Sequence, residues 1–181
     1  MTLAGLDRRF GTDAAVLAPA VAHSDQVRAV FGGFPAAVVA LCAVVDGAPY
    51  GMVATSLAVG VSYDPPMALF SARNDSSTWP VLRKAGRIGA SVLAEHQGAA
   101  CRQLAAKDAD RFAGLSTRVT GHGPLFVEGA SSWMDCEVVG ELAAGDHTVI
   151  TFRIHQVGQG PETPLLFHDG RFPRMRHEHI S

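Results

Sequence analysis

From Ala29 to Ala72 the chain carries only two formal charges, Asp46 and Asp64. A stretch so poor in charge points to a closed sheet, an apolar interface or a bilayer. A membrane-spanning helix needs about 20 unbroken apolar residues. Here Gly32-Gly33-Phe34-Pro35, Asp46-Gly47 and Asp64-Pro65-Pro66 cut the stretch into strand-sized pieces, because Gly and Pro punctuate regular structure. Buried strands are therefore expected, with no membrane partner. Charge elsewhere is modest too: 15 Lys and Arg against 17 Asp and Glu leave a net charge of −2. No basic run exists to neutralise phosphates, which argues against a nucleic-acid partner. A hydrophobic content of 48% also rules out a disordered acidic chain. With 181 residues, one core is the expectation: an N-terminal arm over 1–23, one domain over 24–173 and a C-terminal tail over 174–181.

Arg8-Arg9-Phe10 before the apolar run from Ala14 to Ala22 loosely imitates an export signal. Asp7 and Asp13 flank the arginines and Pro19 interrupts the run, so a loosely attached arm is the reading preferred. Cys42, Cys101 and Cys136 are odd in number, far apart and without a Cys-x-x-Cys pair. Neither a disulfide framework nor a metal site follows, and a cytoplasmic location is expected.

Ser24 is a fitting N-cap for a helix through Asp25 to Phe31, ended by Gly32-Gly33. Ala37 to Val45, the turn Asp46-Gly47 and Tyr50 to Ala54 read as a hairpin, since Asp-Gly supplies positive φ angles. Met67 to Ser71 is a third strand after the rigid Pro65-Pro66 corner. A helix is expected from about Ser77 to Gly86, Ile88 to Leu93 reads as a strand, and Gln97 to Ala106 as helical. Met134 to Leu142 alternates apolar with polar residues, so Asp135 and Glu137 are placed on an outer face. Its partner, His147 to Val157, puts Ile150, Phe152 and Ile154 on one face. Short turns join most strands, and no strand–helix alternation occurs. The fold class expected is mainly β, an antiparallel β-barrel with two or three peripheral helices.

Three local features carry chemistry. Gly51-Met52-Val53-Ala54-Thr55-Ser56 is a strand exit turning to small residues and hydroxyls, where backbone groups approach a flat ligand closely. Arg73-Asn74-Asp75-Ser76-Ser77-Thr78 gathers a guanidinium and three hydroxyls at a helix start, which suits a phosphate monoester, although simple capping explains it equally. Gly145-Asp146-His147 sets an imidazole at a hairpin tip. The Rossmann fingerprint, the Walker loop and the nucleophile elbow are all lacking, so any nicotinamide must be held by another surface.

In this order, and together with Val61-Ser62-Tyr63-Asp64-Pro65-Pro66, Ser91-Val92-Leu93, Asp110-Arg111-Phe112 and Pro164-Leu165-Leu166-Phe167, these segments resemble the flavin reductase family of FMN-binding split barrels. The resemblance runs from about Phe34 to Phe172. It implies a split β-barrel and a homodimer binding FMN or FAD, with NADH or NADPH as co-substrate. It also implies a possible monooxygenase component receiving the reduced flavin. By family analogy Met52, Val53, Ala54, Thr55 and Ser56 line the flavin ring, and Ser62 supports the neighbouring turn. Arg73, Ser76, Ser77 and Thr78 fall at the flavin phosphate, with Ser91 and Phe112 as further cofactor-binding candidates. His147, with Asp146, matches the position associated with hydride transfer. Ala90-Ser91 and Ala54-Thr55-Ser56 depart from commoner family residues, and the choice of flavin and of nicotinamide stays open.

Two functional readings compete, beside one that treats the apolar stretch as purely a dimer core and the motifs as coincidence. One is a non-enzymatic flavin-binding split barrel acting as a carrier or sensor, since fold does not dictate function. The other is a haem protein using His96, His122 or His147 as axial ligand.

Overall fold

The computed structural model describes residues 19–107, 109–121 and 123–175. Most of the N-terminal arm, the end of the tail, His177-Glu178-His179 and His122 therefore lie outside the described residues. Helix α1, Asp25–Gly32, starts where Ser24 Oγ accepts from the Val27 amide at 3.2 Å. Then come β1 (Ala36–Ala37), β2 (Val39–Val45) and β3 (Ala48–Ala54). The hairpin between β2 and β3 turns on Asp46 and Gly47, at φ 51° and 78°. A two-residue turn with both φ angles positive matches the twist of the strands it joins.

The next strands are β4 (Ala58–Tyr63) and β5 (Pro66–Arg73), followed by a one-turn helix α2 (Trp79–Leu82), β6 (Ile88–Val92) and α3 (Gly98–Ala105). A small hairpin, β7 (Thr117–Val119) with β8 (Leu125–Val127), leads to the long pair β9 (Ser132–Ala144) and β10 (His147–Gln159). Finally β11, Leu166–Phe167, pairs with β1. Helix α2 is shorter than the sequence suggests. After Leu82 the amides of Lys84 and Ala85 donate to the carbonyls three residues back, at 3.0 Å each, so the helix tightens and stops well before Gly86.

Seven strands form one antiparallel sheet in the order β3-β2-β6-β9-β10-β5-β4. Its edges, β3 and β4, are joined only by Thr55, Ser56 and Leu57. A flat sheet would hold those edges about 29 Å apart at ~4.8 Å per strand, whereas the linker reaches only about 14 Å. The sheet therefore curls until its edges approach, which makes the barrel of the expected mainly β class. Ser56 helps hold the split: its hydroxyl donates to the Ser71 carbonyl at 2.9 Å and accepts from the Ser71 amide at 3.2 Å.

Strand β2 is buried on both faces. Val39, Leu41, Ala43 and Val45 join Phe70, Ile88, Ile150 and Phe152 in one core. Val38, Ala40 and Cys42 join Leu93, Leu104, Leu125 and Leu165 in another, under α3. A strand covered on both sides reads as a continuous apolar run, which explains Ala37 to Val45. One expectation is corrected on β9: Asp135 is buried, accepting from Arg87 Nε at 2.8 Å and Nη2 at 2.6 Å. Gly89, its neighbour on β6, lies against Leu125 and Phe126, so β8 covers this face and the buried carboxylate is compensated by Arg87. Among the described residues no helix is long and apolar enough to cross a membrane.

Candidate functional site

The antiparallel register of β5 and β10 sets Arg73 opposite His147, which brings the sequence's second and third chemical features together. The turn after Arg73 is tied to the hairpin tip. The Asn74 amide donates to the Asp146 carbonyl at 3.0 Å, Asn74 Nδ2 to the Gly145 carbonyl at 3.2 Å, and Thr148 Oγ1 to Asn74 Oδ1 at 3.0 Å. Strand β3 brings in the first feature. Met52 to Ser56, Arg73, Ser76 to Thr78 and His147 all line one cleft of about 1190 Å³. Helix α3 closes another side through Cys101 and Leu104, and Phe172 packs beside that helix, under Arg102. This is a larger space than the ~300–1,000 Å³ of ordinary small-molecule sites, enough for more than one nucleotide-sized group.

Not every hydroxyl in the cleft is equally available. Ser76 Oγ accepts from the Trp79 amide at 3.1 Å and so caps α2. Ser56 Oγ is engaged with the Ser71 backbone. Thr78 Oγ1 accepts from Arg111 Nη1 at 2.8 Å. At the hairpin tip the His147 ring approaches Asp146, with Nδ1 and Oδ1 2.8 Å apart. That hydrogen bond holds the exposed Asp146 carboxyl below the usual carboxylate range, against a smaller opposing effect of burial. Asp75 is likewise held low by its bond from Arg73, and the Arg73 guanidinium is pushed up by the same contact.

Four candidates lie off the cleft lining. Asp146 acts on His147 from outside it. Ser62 sits on β4 opposite Met67 in the register with β5. Ser91 is fully buried, its hydroxyl accepting from the Val127 amide at 3.0 Å, and so fastens β8 to the sheet. Phe112 packs beneath β3, its ring so close to Gly51 that a Cβ there would meet it at 2.7 Å. Its neighbour Arg111 reaches the cleft instead: Nη1 also donates to the Gly51 carbonyl at 2.8 Å, and Nε donates to the Ala106 carbonyl at 2.6 Å. Arg111 thus bolts together strand β3, the end of α3 and the loop that carries Thr78. Lys107 and Ser71 are further lining residues that the sequence reading passed over. Lys107 follows a helix end by two residues, an ordinary place for a lysine, so nothing local marks it. Asp110-Arg111-Phe112 does stand out, and the Asp110 carboxylate accepting from the Phe112 amide at 2.9 Å shapes that turn.

A family model described as a flavin reductase like domain matches residues 31–176. The chain belongs to the flavin reductase family. The matched span holds every cleft residue named above. A flavin reductase of Pseudomonas putida is 33% identical over 147 residues, covering 80% of this chain and 86% of that protein. The reductase subunit of a flavin-dependent monooxygenase of Rhodococcus jostii is 31% identical over 161 residues, 88% of this chain and 82% of its own. Among solved structures, the NADH:FAD oxidoreductase of Streptomyces globisporus in complex with NAD and FAD fragments superposes with a TM-score of 0.80 at 29% identity. That match covers 90% of this flavin reductase family chain and 99% of the other. The family assignment also removes the reason for a haem reading, and His96 is instead an exposed partner of Glu162 at 3.6 Å.

Proposed function

We propose that this chain is an NAD(P)H-dependent flavin reductase, passing a hydride from NADH or NADPH to FMN or FAD and delivering the reduced flavin to a partner monooxygenase. The observation that carries this reading is a cleft, in a flavin reductase family chain, where a wall of small and apolar residues meets a cationic, hydroxyl-bearing end. The residues fit the cofactor. The end of β3 at Met52, Val53 and Ala54 offers an apolar wall for a ring system, while Arg73 and Lys107 with Ser77 and Thr78 suit a phosphate. When bound, the flavin supplies the hydride acceptor.

The protein's part is to hold and orient. Strand β3 fixes the ring plane, and the Arg111 bonds to Gly51 and Thr78 keep the ring wall and the phosphate loop at a constant separation. His147 stands at the rim, and with Nδ1 committed to Asp146 the atom left to address a nicotinamide is Nε2. The thiols Cys42, Cys101 and Cys136 are free and buried, which suits a reducing cytoplasm. The partner for the edge strand β4 is proposed to be a second copy of the chain, because Val59 and Tyr63 stand 64% and 86% exposed on it.

NADH and NADPH consumption by the purified protein at increasing FMN or FAD tests the assignment. Saturable, flavin-dependent oxidation is expected. Flavin binding with neither nucleotide oxidised would leave a carrier or sensor.

A further inference from the structure

The cationic end of the cleft holds its arginine in a pairing that leaves the guanidinium occupied. Arg73 donates from Nε to Asp75 Oδ1 and from Nη2 to Asp75 Oδ2, both at 2.9 Å. This two-point pairing uses the same planar fork that a phosphate would take. Both residues line the cleft, and both side chains are open to solvent, at 65% and 69%. The turn that presents them is firmly held. The Ser76 amide donates to the Arg73 carbonyl at 3.0 Å, and Asn74 between them is anchored to the hairpin tip by three further bonds. The held turn thus keeps the Asp75 carboxylate within reach of the Arg73 fork, which it occupies in this structure. Asp146 adds a second negative charge near Arg73, and Lys107 a second positive one near Asp75. Two cations and two carboxylates offset one another where a phosphate would arrive.

We propose that Asp75 competes with the flavin phosphate for Arg73, weakening the hold on FMN and speeding its exchange. The proposal rests on the flavin-site reading of this cleft. An exposed ion pair is worth little against water, so an incoming phosphate dianion can displace Asp75. It must do so at every binding event, and the displaced carboxylate then repels it at short range. The proposed task of delivering reduced flavin elsewhere makes such weak, reversible holding useful.

The test compares the full-length protein with Asp75→Asn, using fluorescence quenching to measure the Kd of FMN and of riboflavin, which lacks the phosphate. Asp75→Asn is expected to tighten FMN by about 3- to 10-fold and to slow its release, with riboflavin changed less than about twofold. Adding salt should shrink the gain, and Arg73→Ala in the same chain should abolish it. An unchanged FMN Kd, an equal gain for riboflavin, or a gain confined to NADH overturns the proposal. If wild type still oxidises NADH in a flavin-dependent way, only the role of Asp75 falls. If wild type binds none of FMN, FAD and riboflavin, the site reading falls and the proposal with it. Asp75 is exposed, so an unchanged urea midpoint is expected of the variant.

Discussion

At His147 the contact with Asp146 decides which ring nitrogen remains for a ligand, and the register with Arg73 decides where that nitrogen can work. Replacing the ring by a methyl group leaves Arg73, the Ser76 to Thr78 loop and the end of β3 untouched. His147→Ala is expected to lower kcat by about 10- to 100-fold while the flavin Kd moves less than about twofold, because orientation at the rim is lost and binding is not. Equal losses in both would reassign His147 to simple binding. Burial pushes the Cys42 and Cys136 thiols from 9.0 up to about 12. The folded value lies above the unfolded one, so the stabilisation is complete below about pH 9 and is lost as pH rises towards 12. The urea midpoint should accordingly fall above pH 9, and Cys42→Ala should flatten that decline while lowering the plateau. At this scale Met52 to Ser56, Arg73 and His147, which share one cleft, were legible as candidates because each stands in a local pattern of strand exit, turn or hairpin tip. Arg111 was not singled out, since its partners Gly51 and Thr78 lie 60 and 33 positions away and only the fold brings them together.

Among the elements, β6 and β9 are held by the pair Arg87–Asp135 as well as by their ladder. Removing one member leaves the other charge uncompensated under cover. Arg87→Ala is expected to cost about 3 kcal/mol or more in urea unfolding, whereas Arg83→Ala, which loses an exposed partner of Glu141, should cost less than about 1 kcal/mol. Comparable costs would show that Asp135 is better hydrated than its 4% exposure implies. Hairpins and buried strands could be read from the chain because periodicity and turn residues are local signals. Strand β4 was missed for a physical reason: its register with β5 shifts between Val59 and Ser62, and Gly60 takes a positive φ of 72° there. That irregularity breaks the alternation that marks a strand. The overlong α2 has the opposite cause, since Ser, Thr, Pro and basic residues in helix-like order promise more turns than the tightening after Leu82 allows.

For the whole molecule, the charge-poor stretch from Ala29 to Ala72 now divides into three parts. One is core, on both faces of β2 and on the inner face of β5, one is the cleft wall at the end of β3, and one is the exposed apolar edge of β4. Core alone would leave the third part unexplained. If β4 faces a second copy, the wild type sediments as a dimer, and Val59→Lys with Tyr63→Glu yields a monomer with an unchanged far-ultraviolet spectrum. A wild-type monomer at micromolar concentration contradicts that surface. The central claim concerns hydride transfer within the cleft, and anaerobic mixing of protein, FMN and NADH tests it most directly through bleaching of the flavin absorbance. Bleaching is expected to far outpace the protein-free rate and to slow when the transferred C4 hydrogen of NADH is deuterium. Bleaching at the protein-free rate would contradict the account.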